Sequence, residues 1–303
     1  MLRTILLALA KSSRLRRWIT TNHTTRRMAS RFVPGEELAL AIEAARVSNR
    51  SGMSVSLDHL GENVGTSEDA VRARAAYTEA LERIAAEGVD ANVSLKLTHL
   101  GLDLGETFCA EQLRVVTRHA EELGNFVRVD MEGSAYTDRT LRLVQQARAQ
   151  TAAIGTVIQA YLYRSEEDVR ALLGIGCRIR LVKGAYKEPS NIAFRRKNDV
   201  DANYIKLLKI LLPSGTYHAL ATHDPRMIEA AIRFAAEQGI TKDKFEFQML
   251  YGIRTDLQSQ LVRQGYRVRV YIPFGKDWFP YFMRRLAERP ANLIFFARAL
   301  LRG

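Results

Sequence analysis

Cysteine is scarce in this sequence of 303 residues, which contains only Cys109 and Cys177. The two are far apart and show no CxxC spacing, so a disulfide framework is not indicated. A reducing compartment fits this cysteine usage. Cys177 opens an apolar run and is expected to be a small buried residue.

Two familiar kinds of site are also missing from the sequence. The six histidines include His218 and His223, whose spacing along one predicted strand does not form a zinc site or an iron-binding triad, so no metal is expected. No Walker loop is present. The pair Gly174 and Gly176 lacks the third glycine of a dinucleotide-binding turn and precedes a strand.

Acidic residues are missing from residues 1–35, which hold eight Lys or Arg of a chain with net charge +12. Because this stretch carries +8 and leaves only +4 for the remaining 268 residues, and because no nucleic-acid-binding motif is present, no nucleic acid partner is predicted. The stretch has the composition of a mitochondrial transit peptide. Its apolar residues recur at helical spacing, however, and a basic helical arm is the favoured interpretation.

Long apolar runs are absent as well. A membrane-spanning helix needs about 20 apolar residues, and no run approaches that length. The C-terminal segment 293–301 is interrupted by Arg298 and is expected to be a packing helix. No transmembrane segment is therefore predicted.

What the sequence does contain is a regular alternation of short β-branched runs and amphipathic helical stretches. The runs are at 53–60, 92–98, 126–131, 156–162, 177–182, 217–222, 244–250 and 267–272. Eight such units over about 250 residues predict an α/β fold of the (βα)8 TIM type. We expect an N-terminal basic helical arm at 1–52 and a barrel domain at 53–303.

Polar residues mark the predicted carboxyl ends of these strands, where TIM barrels place their chemistry. The residues at these ends, all polar except Met131 and Leu250, are Asp58, His59, Glu62, Lys96, Thr98, Asp130, Met131, Glu132, Gln159, Arg180, Lys183, Tyr186, Thr222, His223, Asp224, Gln248, Leu250, Tyr251 and Tyr271. Lys96 and Asp130 have apolar neighbours on both sides, and a charge in a strand interior is costly unless it is paired or used. They could form a structural salt bridge with each other or belong to an active site.

A further basic segment lies near the C-terminus. Tyr281, Arg284, Arg285 and Glu288 share one face of a predicted helix, while apolar residues occupy the opposite face. Two adjacent guanidinium groups match a carboxylate or phosphate, although an ordinary amphipathic surface helix has the same pattern.

Seven segments together resemble the proline dehydrogenase family. They are SLDHLGE at 56–62, DMEG at 130–133, RLVKGAY at 180–186, THD at 222–224, FEFQMLYG at 245–252, YIPFG at 271–275 and YFMRRLAE at 281–288. The resemblance spans about residues 36–292 and is strongest to the small monofunctional bacterial form, which also begins with a basic helical arm. It implies a distorted TIM-type barrel whose C-terminal helix carries the substrate arginines over the barrel mouth.

The resemblance implies oxidation of L-proline to Δ1-pyrroline-5-carboxylate. FAD would accept the hydride and pass electrons to a membrane quinone, which implies a location in the bacterial cytoplasm, peripherally at the inner membrane. A separate pyrroline-5-carboxylate dehydrogenase would be the downstream enzyme.

The resemblance also implies roles for individual residues. Lys96, Asp130, Arg180 and Tyr271 would be catalytic, with Asp130 orienting its neighbours. Substrate would meet Lys96, Leu250, Tyr271, Tyr281, Arg284 and Arg285, with Glu62 as a gate that pairs with Arg284. FAD would be lined by Met131, Gln159, Arg180, Lys183, Gly184, Ala185, Thr222, His223 and Glu288.

Two other interpretations compete with this one. A Schiff-base (class I) aldolase on the same fold would use Lys96 or Lys183 as an amine nucleophile. A non-catalytic protein that binds nucleic acid or a membrane surface would use residues 1–35, but that interpretation leaves the polar strand ends unexplained.

Overall fold

A closed barrel of eight parallel strands forms the centre of the computed structural model, and each strand pairs with the next along the chain. The structure describes residues 29–288; for residues 284 and 286–288 it describes the backbone alone. The strands are β1 Ser54–His59, β2 Ala91–Leu95, β3 Val127–Val129, β4 Ile154–Gln159, β5 Arg178–Val182, β6 His218–Ala221, β7 Phe245–Leu250 and β8 Arg267–Phe274. This confirms the predicted TIM-type barrel.

Helices connect the strands on the outside of the barrel. In chain order they are α1 Leu38–Arg50, α2 Ser67–Ala86, α3 Glu106–Glu122, α4 Ser134–Arg148, α5 Ser165–Gly174, α6 Lys197–Leu211, α7 Pro225–Glu237, α8 Thr255–Arg263 and α9 Trp278–Glu288. Local sequence sets where they begin. The Thr66 hydroxyl accepts from the Asp69 amide to cap α2, and Asp224 caps α7 ahead of Pro225.

The last β/α unit departs from a regular barrel. Helix α1 packs against β1 and β8, the place where the helix after β8 would ordinarily lie. Its small buried face, which includes Ala41, Ala44 and Ala45, allows this close approach. Because α1 occupies this place, the helix after β8, α9, does not lie in the outer layer of helices.

Helix α9 lies instead at the carboxyl end of the barrel, against the segment that leads into α1. The Trp278 indole donates to Glu36 at 2.9 Å, and the Phe282 and Phe32 ring centroids are 6.0 Å apart. The same segment passes the loop after β7, because a Cβ added to Gly252 would collide with the Arg31 carbonyl oxygen. The segment 31–36 thus packs against α9 at the barrel mouth; the rest of the predicted arm, residues 1–28, lies outside the described residues.

Between the sheet and the helices lies an apolar core, whereas the inside of the barrel is polar. Side chains two positions apart on a strand share a face. The pairs Arg128 and Asp130, Glu246 and Gln248, and Arg269 and Tyr271 therefore point together into the barrel. Glu246 accepts from Arg269 Nε at 2.9 and 3.0 Å near the amino-terminal end.

Candidate active site

Arg180 is the centre of the polar interior. It extends from β5 and is 4% exposed. Its Nη1 donates to Asp130 Oδ1 at 2.6 Å, and its Nη2 donates to Ser94 at 3.0 Å and to Ser56 at 3.4 Å. Its Nε donates to Gln248. Partners from β1, β2, β7 and the end of β3 therefore fix one guanidinium group in the barrel.

Tyr271 completes this arrangement from β8. Its hydroxyl donates to Asp130 Oδ2 at 2.7 Å, and its ring centroid lies 5.2 Å from the Arg180 guanidinium carbon. Burial, with the charges of Asp130 and Asp58, raises the pKa of Tyr271 well above its ordinary value. The phenol therefore stays protonated, and both Asp130 oxygens have donors.

Lys96 follows the last residue of β2 and pairs with Asp58, with 3.8 Å between Nζ and Oδ2. Burial lowers the pKa of Lys96, but the carboxylates of Asp58 and Asp130 outweigh it and raise the pKa overall. Lys96 is therefore a fixed ammonium ion at the mouth. The alternative of a simple Lys96–Asp130 pair does not describe this site, because Asp130 is bonded to Arg180 and Tyr271.

The side chains beyond β3 and β4 form a second wall of the mouth. Met131 is buried, and Gln159 donates to the Glu132 carbonyl at 2.9 Å. The Glu132 carboxylate accepts from the Thr98 hydroxyl at 2.7 Å and from its amide at 3.3 Å. These bonds hold the loops after β2, β3 and β4 together.

A cluster of five charges lies beyond β5 and β6. Lys183 Nζ donates to Asp224 at 2.8 Å and also to Asp201. Lys197 contacts Asp201 at 2.7 Å, and Arg226 contacts the same carboxylate at 2.6 Å. Although burial opposes ionisation, bonds to Lys183 and its neighbours lower the pKa of both Asp201 and Asp224. We call these residues the β5–β6 charge cluster.

The loop after β5 is shaped by Gly184, whose φ of +116° is a conformation that favours glycine. A Cβ at this position would also collide with the Tyr161 ring. The backbone conformation and the contact with Tyr161 therefore both require glycine at position 184, with or without a bound ligand. The next residue, Ala185, is exposed.

Thr222 and His223 follow β6. The Thr222 hydroxyl accepts from the Asp224 amide at 3.1 Å, and His223 Nε2 accepts from the Leu250 amide at 3.0 Å. The second bond ties the end of β6 to the end of β7, and Leu250 is half-buried there. His223 therefore lies beside the carboxyl end of β7, where Leu250 is located.

Helix α9 contributes Tyr281, which is 6% exposed, and Arg285, whose guanidinium carbon lies 5.1 Å from the Tyr281 ring centroid. Glu62 is exposed in the loop between β1 and α2. The side chains of Arg284 and Glu288 lie outside what the structure describes.

Sequence reasoning missed several of these residues. Ser94, Asp201 and Arg226 were given no role, although Ser94 lies two positions before Lys96 and shares its face. That spacing was the available signal for Ser94. Nothing in the sequence predicts that Asp201, on α6, and Arg226, on α7, meet Lys183 after β5.

No group of three or more His, Cys, Asp or Glu side chains in the described range could hold a metal ion. The same range contains no helix long and apolar enough to cross a membrane.

The chain is similar to known proline dehydrogenases over nearly its whole length. The family model described as proline dehydrogenase matches residues 41–298. Proline dehydrogenase 1 of Bacillus subtilis (strain 168) is 41% identical over 302 residues, which cover 100% of both chains. Proline dehydrogenase of Deinococcus radiodurans is 42% identical and covers 91% of each chain.

Among solved structures, the chain is similar to proline utilization A (PutA) from Bdellovibrio bacteriovorus, inactivated by N-propargylglycine. The TM-score is 0.82 and the identity 29%, over 87% of this chain and 33% of that chain. PutA from Bradyrhizobium japonicum, in a D778Y mutant, gives a TM-score of 0.76 at 26% identity, over 91% of this chain and 32% of that one. This chain therefore spans about a third of the PutA chains it matches.

Proposed function

The chain belongs to the proline dehydrogenase family, oxidoreductases that act on the CH–NH group of proline, and we propose that it oxidises L-proline to Δ1-pyrroline-5-carboxylate with FAD. The observation that carries the proposal is the arrangement of Arg180, Asp130 and Tyr271 inside the barrel, next to the ammonium group of Lys96. A fixed cation beside a polar, partly enclosed mouth suits a cofactor that gains negative charge on reduction.

The residues present fit FAD in two places. Arg180 would supply a cation beside the flavin ring, which Met131, Gln159, Gly184, Ala185, Thr222 and His223 would border. The β5–β6 charge cluster includes Lys197 and Arg226, whose side chains are 65% and 60% exposed beside the start of α7. Cations at a helix N-terminus are suited to a diphosphate. We place Lys183 with this cluster and expect Glu288 to contact the cofactor as well.

Bound FAD would supply the hydride acceptor. The protein would then bind and orient the substrate. Arg285, Arg284 and Lys96 would hold the proline carboxylate, because paired guanidinium groups both neutralise its charge and fix its orientation. Leu250, Tyr271 and Tyr281 would enclose the proline ring. Glu62 would close over the bound proline by pairing with Arg284.

The Schiff-base alternative is not supported. An amine nucleophile needs a lowered pKa to be neutral at working pH, whereas the carboxylates around Lys96 raise its pKa. Lys183, the other candidate, is bonded to Asp201 and Asp224. Both lysines are paired with carboxylates, so neither is suited to act as an amine nucleophile.

Electrons would leave FAD for a membrane quinone, so we propose peripheral contact with the inner membrane on its cytoplasmic side. The product would be the substrate of a separate pyrroline-5-carboxylate dehydrogenase. The PutA relatives are described as bifunctional proteins, which supports a link between the two reactions.

The test is product analysis. FAD-loaded protein is incubated with L-proline and a soluble quinone, and the product is identified by mass spectrometry. We expect an imino acid lighter than proline by two hydrogens, formed with quinone reduction. N-propargylglycine, which inactivated the Bdellovibrio PutA, should stop the reaction. Quinone-independent turnover, or covalent capture of substrate on a lysine by borohydride, would contradict the proposal.

A further inference from the structure

The proposed substrate carries two charges, and the residues assigned so far meet only one of them. Arg284, Arg285 and Lys96 are partners for its carboxylate. At neutral pH the ring nitrogen is an ammonium group, which needs an acceptor of hydrogen bonds. Identifying that acceptor rests on the proposed function.

Asp58 has an unused oxygen in the right part of the barrel. It is the penultimate residue of β1 and is only 1% exposed. Its Oδ2 lies 3.8 Å from Lys96 Nζ, while its Oδ1 is buried without a well-formed hydrogen bond. The Tyr271 hydroxyl also lies beside this carboxylate, but it donates to Asp130 Oδ2 at 2.7 Å. Among the side chains that the structure describes, this is the one buried carboxylate oxygen in that condition. A buried carboxylate oxygen without a donor is costly, and a ligand's donor would remove that cost.

The two other largely buried carboxylates near Lys96, those of Asp130 and Glu132, have donors on both oxygens. Asp130 accepts from Arg180 at 2.6 Å and from Tyr271 at 2.7 Å. Both Glu132 oxygens accept from Thr98. Neither carboxylate has an oxygen left without a donor to receive an ammonium group, which makes Asp58 the available acceptor.

Proton acceptance by the other polar groups is also disfavoured. Lys96 has a raised pKa and is already protonated, so it can only donate. Tyr271 keeps its proton and donates it to Asp130. The titratable and charged groups around Asp58 are His59 on β1, Tyr77 on α2, Lys96 after β2, Asp130 after β3 and Tyr271 on β8.

We propose that Asp58 binds the ring ammonium of proline and accepts its proton. An N–H bond breaks, the proton goes to the Asp58 carboxylate, and the nitrogen keeps the electron pair. That pair is then available to form the C=N bond with the adjacent ring carbon, for which bound FAD, the oxidant of the proposed function, would supply the hydride acceptor. Without deprotonation the nitrogen has no electron pair to form this bond. Asp58 afterwards releases the proton to solvent.

The experiment compares Asp58→Asn with wild type, both loaded with FAD, using two ligands. L-proline has the ammonium group; tetrahydro-2-furoate has the same ring carboxylate with oxygen in place of nitrogen. We expect the affinity of the variant for proline to fall at least tenfold more than its affinity for tetrahydro-2-furoate. A disturbance of Lys96 alone would weaken both ligands alike, because both carry the carboxylate, so the ratio of affinities isolates the ammonium.

The pH dependence of anaerobic flavin reduction is the second readout. In wild type the rate of flavin reduction should reach a plateau as pH rises. In Asp58→Asn the rate should keep increasing with pH, because this variant can use only proline whose amine is already deprotonated in solution. Asp58→Glu should restore part of the plateau. Asp277→Asn is the control, since it removes an exposed carboxylate before α9 and should leave the affinity ratio unchanged. If Asp58→Asn does not retain FAD, Asp58→Ser gives the same comparison.

An unchanged affinity ratio together with a wild-type pH profile in Asp58→Asn would overturn the inference. That outcome leaves the proposed function intact, because wild type would still be reduced by proline. Failure of the proposed function has a different signature: no flavin reduction by proline in wild type at any pH.

Discussion

Arg180 shows how a charge is kept inside the barrel. A buried guanidinium group is costly unless its donors are bonded, and Arg180 bonds to Asp130, Ser94, Ser56 and Gln248. Gln248 in turn donates to Glu246, which orients its amide so that the oxygen faces Arg180. The cation is thus held in place before any ligand arrives, as electrostatic catalysis requires.

Replacing Arg180 tests this assignment. In Arg180→Met we expect the midpoint potential of bound flavin to fall by about 30 mV or more, which is a tenfold change for a two-electron couple. The reduced, electron-rich form would lose its nearby cation. Arg180→Lys should keep most of the potential, and Arg267→Met, at the exposed start of β8, is the control. A wild-type potential in Arg180→Met with full FAD content would contradict the assignment.

His218 has a structural role that depends on its neutral form. Its Nδ1 accepts from the Ile179 amide at 3.0 Å, so its Nε2 carries the proton and donates to Ser214 at 2.9 Å. Burial, with repulsion from Arg128, lowers the pKa of His218 from 6.5 to about 3. Protonation of Nδ1 would break this bond between the His218 side chain on β6 and the Ile179 amide on β5.

The consequence is acid sensitivity. Because the folded pKa is below the unfolded value, the stabilisation is complete above pH 6.5 and is lost as pH falls toward 3. Each pH unit in that window costs about 1.4 kcal/mol. In His218→Asn the amide oxygen can still accept from Ile179 and does not titrate. Urea unfolding at pH 6.5 and 4.5 should therefore show a smaller loss in the variant; equal losses would rule out this role.

At the scale of elements, the main departure from a regular barrel is that α1 occupies the place of the helix after β8, while α9 lies at the barrel mouth. The alternating pattern predicted eight strands and the helices between them, since each period reports one buried face. It did not predict that α1 covers β8 and β1, because that contact depends on packing across 200 residues of chain. The strand ends also shifted: β2 ends at Leu95 rather than at 98.

The position of α9 makes Arg285 the natural residue to change. Losing a charge-assisted bond to the substrate carboxylate should cost about 1.5–3 kcal/mol of proline binding, which is about tenfold to a hundredfold in affinity. Arg285→Lys should recover little relative to Arg285→Met, because a point charge cannot replace two parallel donors. Proline titrations of flavin absorbance measure this.

FAD should remain bound in both Arg285 variants, and Lys276→Met, which removes an exposed cation just before α9, should bind proline normally. If Arg285→Met keeps wild-type proline affinity, α9 is an ordinary basic helix and the substrate lies elsewhere.

At the scale of the whole molecule, the sequence predicted the barrel architecture better than it predicted how the charged side chains pair inside the barrel. Apolar periodicity identifies which face of a strand meets the helices, but it does not say how the inward charges pair. Lys96 stood out between two leucines, yet its partner Asp58 comes from the neighbouring strand. The pairing of Glu246 with Arg269 likewise depends on the register of β7 and β8, which places Glu246 opposite Arg267. Register is a property of the closed barrel and not of any one segment.

The central claim is that the mouth of this barrel binds FAD and presents it to proline. The most direct measurement is the absorbance spectrum of the purified protein during anaerobic addition of L-proline. We predict a flavin spectrum that bleaches with proline and does not bleach with pyrrolidine, which lacks the carboxylate. A protein that binds no flavin, or a flavin that keeps its colour at saturating proline, would contradict the account.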